Sequence, residues 1–263
     1  MPRFTTKLME RLDVAEGTMA FLFERPRGFD FTAGQYAHVV LPNPPHTDAG
    51  GNRRTFSITS PPQESGQVAF ATRLTGSAMK RSLVDVDLGT TVELLGPTGA
   101  FTLHDDATVP AVFIAGGIGI TPFRSMVQDA IRRRLPHRMT LIYSNRNPEG
   151  AAFHEEFARI AETHAHFTYL PTMTQAETSR KPWSGERRYV NADFLRDHIG
   201  DPATPIFYLA GPPGLVAAVT KTVIEVGGDP SHVRSEEFVG YGEKVREEAV
   251  RVWRRSRYEL LSH

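Results

Sequence analysis

Cysteine is absent from the 263 residues. That excludes disulfides, a cysteine nucleophile and any cysteine-ligated zinc or iron–sulfur site. An electron carrier used by this chain is then organic, or sits on another protein. An excess of charge of either sign is lacking too: 30 basic residues against 30 acidic ones give a formal net charge of +0. Nothing in that balance points to nucleic acid, a membrane surface or a polyanionic substrate. No apolar run approaches the roughly 18 residues that a membrane span needs. Lys7, Glu10, Arg11 and Asp13 interrupt the stretch where a secretory signal would carry its apolar core. The ten histidines form no His-Glu-x-x-His helix, so no metal site is expected. The expectation is a cytoplasmic protein with no membrane span and no nucleic-acid partner.

What is present divides into two grammars. Length and a hydrophobic fraction of 40% suffice for two domains, each with its own core. Up to residue 107 the chain reads as short strands broken by turn chemistry, at 18–23, 36–41, 54–59, 68–73 and 91–95. Gly96-Pro97-Thr98-Gly99 reads as a turn, 104–108 as a linker, and 77–84 as a short helix capped by Ser77. From Pro110 onward, buried-looking runs at 111–115, 139–144 and 206–210 alternate with helical stretches at 123–134, 151–163 and 215–226. That alternation predicts a parallel sheet with helices on both faces. The expected fold is two-domain, β followed by α/β: an antiparallel β-barrel over 1–107, then a doubly wound parallel-sheet nucleotide-binding domain over 108–241. A C-terminal helical extension over 242–263 completes it, with Val245, Ala249, Val252, Trp253, Ser256 and Leu260 on one face.

Two glycine turns carry the nucleotide chemistry. The run 111–115 leads into Gly116-Gly117-Ile118-Gly119-Ile120-Thr121-Pro122, a strand, a glycine turn and a helix start with Thr121 as cap. Glycines there let backbone approach a ligand, and a helix N-terminus offers free N–H groups to a pyrophosphate. A tight strand–helix turn with no ligand is the plainer alternative. Gly211-Pro212-Pro213-Gly214 follows a second strand, and two such turns at strand ends of one sheet line one crevice. Neither turn carries a Lys-Ser/Thr pair, so triphosphate hydrolysis is not expected.

In the barrel, Arg54-Thr55-Phe56-Ser57-Ile58-Thr59-Ser60 sets a cation, an aromatic ring and a hydroxyl close together. Alone, it reads equally as an edge strand with an outward arginine and a core phenylalanine. Taken in order, Arg-x-Phe-Ser-x-x-Ser, Gly-Gly-x-Gly-x-Thr-Pro, Gly-Pro-Pro-Gly and a late Glu-Glu-Phe resemble the ferredoxin–NADP reductase superfamily over residues 5–241. The resemblance implies that the barrel binds FAD. It puts Arg54 on the flavin pyrophosphate, Phe56 on the isoalloxazine face and Ser57 near flavin N5, with Thr55 between them. Ala71, Thr72 and Arg73 match ribose and adenine contacts, and Ala78, Met79 and Lys80 the helix start that meets the second phosphate, which favours FAD over FMN. Thr121 matches a residue between flavin and nicotinamide. Gly116, Gly117, Gly119, Ser144, Asn145, Arg146 and the 211–214 turn match the NAD(P)H side. Glu237 and Phe238 match the final strand, where nicotinamide stacks.

Family members specific for NADP carry Ser-Arg after the third strand of this sheet. Thr174-Gln175 stands there instead, which removes a bidentate phosphate clamp and tilts the expectation toward NADH. The implied activity is hydride transfer from NAD(P)H to FAD, with electrons passed to an external acceptor such as ferredoxin, flavodoxin or an oxygenase component. Two alternatives remain open: a free-flavin or ferric-chelate reductase, and a flavin-binding subunit with no turnover of its own.

Overall fold

The structure is a computed structural model and describes residues 1–239; the helical extension expected over 242–263 lies outside the described residues. The described chain forms two compact units, Met1–Thr102 with Arg124–Asp129, and Leu103–Phe123 with Ala130–Val239.

The first unit contains β1 (Arg3–Ala15), β2 (Thr18–Glu24), β3 (Tyr36–Val40), β4 (Arg53–Ser57), β5 (Gln67–Arg73), helix α1 (Ala78–Asp85) and β6 (Thr91–Thr98). Its six strands are ordered β4-β3-β6-β1-β2-β5, each antiparallel to its neighbour. An antiparallel bridge from Ile58 to Phe70 brings the two ends of the sheet together. Hydroxyls finish that seam: Ser60 Oγ accepts the Ala69 N–H at 3.0 Å, and Thr59 Oγ1 accepts that of Ala71 at 3.2 Å. Side chains thereby satisfy ladder donors that would otherwise be left buried and unpaired. Inward positions alternate as period-2 strands require, with Met19, Phe21 and Phe23 of β2 meeting Val68 and Phe70 of β5 in one core. Each such aromatic contributes roughly 1.5–3 kcal/mol on burial.

β1 was not expected from the sequence. Only Thr6 and Leu8 of its thirteen residues are buried, so alternation is weak. What holds it is pairing on both sides, Arg3–Lys7 with β6 and Leu8–Ala15 with β2. The tetrad Gly96–Gly99 is also not a free turn, because β6 runs through Thr98 and pairs it with Tyr36. Ser77 precedes α1 as expected, but its side chain makes no capping bond. At the other end Arg11 donates to the carbonyls of Leu83, at 2.8 Å, and Val86. A cation is the favourable partner for orphan carbonyls at a helix C-terminus.

The second unit contains β7 (Ala111–Gly116), the two ends of α2 (Ile120–Arg132), β8 (Met139–Asn145), α3 (His154–Thr163), β9 (Phe167–Met173), α4 (Ala192–His198), β10 (Ile206–Gly211), α5 (Pro213–Glu225) and β11 (Val233–Glu237). The sheet is fully parallel, in the order β11-β10-β7-β8-β9. Strand order reverses between β7 and β10, which is where open α/β sheets bind ligands. Both faces are covered. Val112, Ile114, Phe207 and Leu209 pack on Phe194 and Leu195 of α4 and Val216 and Val219 of α5. On the opposite face Phe113 stacks on Phe123 of α2 at 5.0 Å, and Tyr169 meets Phe157 of α3 at 5.7 Å. The sequence reading missed α4, whose start is signalled only by Asn191, its Oδ1 accepting the Phe194 N–H at 2.9 Å. Among the described residues, no helix is long and apolar enough to cross a membrane.

Candidate flavin and nicotinamide sites

In the barrel, groups assigned to one ligand converge. Arg54, the second residue of β4, donates from Nη2 to Asp48 Oδ1 at 3.1 Å. The other oxygen of the same carboxylate accepts the Ala78 N–H, at the first residue of α1, at 2.7 Å. A guanidinium and a helix N-terminus thus clamp one anion between them, the arrangement that binds phosphates elsewhere. The Ala78 N–H first, then that of Gly50 and the Arg54 guanidinium, hold the Asp48 carboxyl below the usual carboxylate range, against its desolvation. Asp48 had no part in the sequence reading. Its loop has no periodicity, and only the Asp-Ala-Gly-Gly string marked it as a turn.

Of the four hydroxyls that follow in the same motif, three are buried: Ser57, Thr59 and Ser60. Thr59 and Ser60 are consumed by the barrel seam. Ser57 Oγ has no hydrogen-bond partner. A buried orphan hydroxyl is costly unless something else satisfies it. Together with the anion clamp, this orphan shows that the residues present suit a flavin dinucleotide.

Other barrel candidates fall differently. Phe56 is 7% exposed and tilts against Phe70 at 6.5 Å, within the aromatic core. Its ring offers little open face. Strand register explains this, since Phe56 pairs with inward Ala37. Thr55 lies on the outer face, its hydroxyl 2.7 Å from His38 Nδ1. Ala71 and Thr72 are buried in β5 with Arg73 half-buried, and Met79 belongs to the core beside Ala78 and a nearly buried Lys80.

In the second unit, Ser144, Gly116, Gly211 and Glu237 form a row across the carboxyl edge of the sheet. Ser144 pairs with Gly116, Glu237 pairs with Gly211, and a Cβ on Gly211 would lie 3.1 Å from Gly116 Cα. The Phe238 N–H donates to the Gly211 carbonyl at 2.8 Å, tying that aromatic to the Gly211–Gly214 turn. Here the glycines serve the fold directly. A Cβ on Gly119 would sit 2.1 Å from the Ala210 carbonyl oxygen, and Gly117 has φ of 55°. Both requirements exist without any ligand. Thr121 does not cap α2: the helix begins at Ile120, and the threonine hydroxyl donates back to the Ile118 carbonyl at 3.0 Å. Pro122 therefore falls at the third helical position, two later than expected, still where no intrahelical N–H is needed.

Asn145 is 7% exposed, and neither polar atom of its amide has a partner. Its carbonyl and that of Arg146 accept the N–H groups of Thr174 and Gln175, both at 2.8 Å, so the Thr-Gln pair lies beside the end of β8. Arg188 is locked between Glu186, at 2.6 Å, and Asp197, at 2.7 Å, and Arg187 donates to the Trp183 carbonyl. Hydrogen bonds from Arg188 hold the Glu186 carboxyl at about 2.

An antiparallel barrel with an anion clamp and a parallel sheet with glycine turns at its switch point define an NAD(P)H-dependent flavoprotein oxidoreductase. Comparison with known proteins agrees. The model of the oxidoreductase NAD-binding domain matches residues 113–221. Ferredoxin–NADP reductase B of Sorangium cellulosum (strain So ce56) is 32% identical over 226 residues, covering 82% of this chain and 89% of that protein. The phenol 2-monooxygenase reductase component DmpP of Pseudomonas sp. (strain CF600) is 32% identical over 202 residues, but the chain spans only 55% of its length. Among solved structures, the Amycolatopsis cytochrome P450 reductase GcoB superposes with a TM-score of 0.76 at 27% identity, covering 90% of this chain and 70% of that one. A Neisseria gonorrhoeae ferredoxin NADP+ reductase with bound FAD and NADP shares the fold, with a TM-score of 0.74 at 20% identity over 89% of this chain and 98% of that one. The chain belongs to the ferredoxin–NADP reductase family. As an oxidoreductase of that family, it uses FAD and NAD(P)H and passes electrons to an external acceptor.

Proposed function

We propose that this chain is a cytoplasmic FAD-dependent reductase that prefers NADH and delivers electrons to a separate carrier of ferredoxin, flavodoxin or oxygenase-component type. The observation that carries the flavin assignment is the meeting of Arg54 and the Ala78 N–H on a single carboxylate. Bound FAD supplies the chemistry that takes a hydride and releases electrons one at a time.

The protein's part is binding and positioning. Arg54 neutralises one phosphate of the dinucleotide and the α1 N-terminus the other. Ser57, with no internal partner, donates its hydroxyl proton toward flavin N5. Phe56, held in the barrel core, would border the flavin rather than stack on it. Ala71, Thr72 and Arg73 take the ribose and adenine, with Met79 and Lys80 behind the diphosphate. In the second unit the turns at Gly116–Gly119 and Gly211–Gly214 receive the nicotinamide nucleotide, and Ser144, Asn145 and Arg146 its adenosine end. Thr121, Glu237 and Phe238 border the nicotinamide. The preference for NADH is supported by Thr174-Gln175 in place of a phosphate clamp, and by Arg187 and Arg188 being engaged within the protein.

Anaerobic stopped-flow reduction tests this, following flavin absorbance near ~450 nm with NADH and NADPH in parallel. Rapid bleaching of bound FAD, faster with NADH, is expected, followed by reoxidation on adding a ferredoxin-type acceptor. A colourless protein that retains no FAD and oxidises neither nucleotide would overturn the proposal.

A further inference from the structure

The two groups assigned above to the flavin diphosphate already hold an anion belonging to the chain. Asp48 bridges them with both carboxylate oxygens, one on Arg54 and one on the Ala78 N–H. Its loop joins β3 to β4 and is closed at the base by reciprocal bonds between Leu41 and Asn52, both 3.0 Å. From that base it reaches across α1 and is pinned there a second time. The His46 N–H donates to Ser82 Oγ at 3.0 Å, and His46 Nε2 lies 2.6 Å from Asp85 Oδ2. Residues 42–52 therefore form a strap with one pin at the first residue of α1 and another on its last turn. Arg54 is further turned into the strap by the carbonyls of Gly50, at 2.5 Å, and Gly51, at 3.1 Å.

We propose that Asp48 is an internal competitor for the flavin diphosphate, carried on a strap that lifts from Arg54 and α1 before FAD is seated. This rests on the assignment of Arg54 and Ala78 to the diphosphate. A carboxylate and a phosphate cannot share one guanidinium and one N–H, because like charges at contact repel strongly in a partly desolvated site. Binding is then an exchange of anions. The apparent affinity for FAD equals the intrinsic affinity reduced by the fraction of molecules with the strap open. Retention of the flavin is set by the strap as well as by the pocket.

The test is flavin fluorescence quenching on the full-length protein stripped of flavin, with FAD and riboflavin as probes. Asp48→Asn keeps size and removes charge, and is expected to tighten FAD by roughly tenfold, the worth of one charge-assisted contact. Riboflavin, which has no phosphate, is expected to bind both proteins equally. His46→Gln removes the imidazole contact with Asp85 and leaves the backbone bond to Ser82 Oγ, loosening the second pin without touching Arg54 or Ala78; a smaller tightening and faster FAD association are expected from it. Were Asp48→Asn and His46→Gln to weaken FAD or leave it unchanged while Arg54→Ala weakens it, the strap would be a support that orients Arg54, and the proposal would fail. If Arg54→Ala left FAD affinity unchanged, the diphosphate assignment itself would fall first.

Discussion

The two units offer different parts of the chain to the ligands proposed for them. In the barrel the proposed ligand groups are mostly side chains, Arg54 and Ser57, near a seam that other hydroxyls hold closed. In the sheet they are backbone, two glycine turns pressed so tightly together that no side chain fits between them. A side-chain site can be tuned one residue at a time with the fold left standing. A backbone site cannot, because the atoms that bind are the atoms that pack.

The sharpest way to break that contrast is Gly119→Ala. Its Cβ would meet the Ala210 oxygen and carbon and the Gly211 nitrogen at 2.1–2.7 Å, all backbone atoms that cannot swing away. A stability loss of about 3 kcal/mol is expected, the upper range for overpacking, read by urea denaturation. A fully stable variant with impaired nucleotide binding would show instead that Gly119 serves the ligand.

Arg54→Ala comes next, acting on binding rather than folding. FAD affinity is expected to fall by about 2 kcal/mol, roughly 30-fold, with the unfolding midpoint little changed. Titration of the flavin-free protein alongside its denaturation curve separates the two effects.

Smaller, and sharper as a comparison, is the pair of serines in one motif. Ser60→Ala leaves the buried Ala69 N–H without its acceptor and is expected to cost about 1–2 kcal/mol of stability. Ser57→Ala removes a hydroxyl with no partner, so stability is expected to hold or rise slightly. Flavin reduction should slow about tenfold, the equivalent of one hydrogen bond lost at the transition state. Reversal of that pattern would reassign the two residues.

The smallest effect belongs to the second unit and to pH. His104 is stacked on Tyr208 and lies 3.0 Å from its hydroxyl, with His137 and Arg234 beside them. Burial first, then the charges of His137 and Arg234, hold His104 below the ordinary histidine value, against the Val109 carbonyl and Asp106. The unfolded chain takes up the proton near pH 6.5, so it binds more protons than the native state just below that value. Stability is therefore lost as pH falls below about 6.5. Denaturation midpoints below that value should decline less steeply in His104→Gln than in the parent.

Much of this was legible in the sequence, for reasons that differ by region. The parallel strands of the second unit are continuous apolar runs ending in glycine, and a fully buried strand cannot look otherwise. Arg54, Ser57 and the two glycine turns stood out because each needs a particular residue type. β1 was illegible, since its charged residues face outward and pairing alone makes it a strand. α4, at seven residues, is too short for periodicity to register. Phe56 has the right chemistry to stack on a flavin, yet its pairing with Ala37 turns the ring into the barrel core.

By itself, then, the order of residues determined the two-domain plan, the family and the chemical types at each site. These depend on local composition and spacing, which any reader of the chain can see. The closing of the barrel by Thr59 and Ser60, the pressing of Gly119 against Ala210 and the seating of Asp48 on Arg54 and α1 were decided only in three dimensions. Each joins residues that lie from six to 91 positions apart. Such contacts come from the paths the strands take, and a hydrogen bond or a clash is felt only when those paths bring two atoms within a few ångströms.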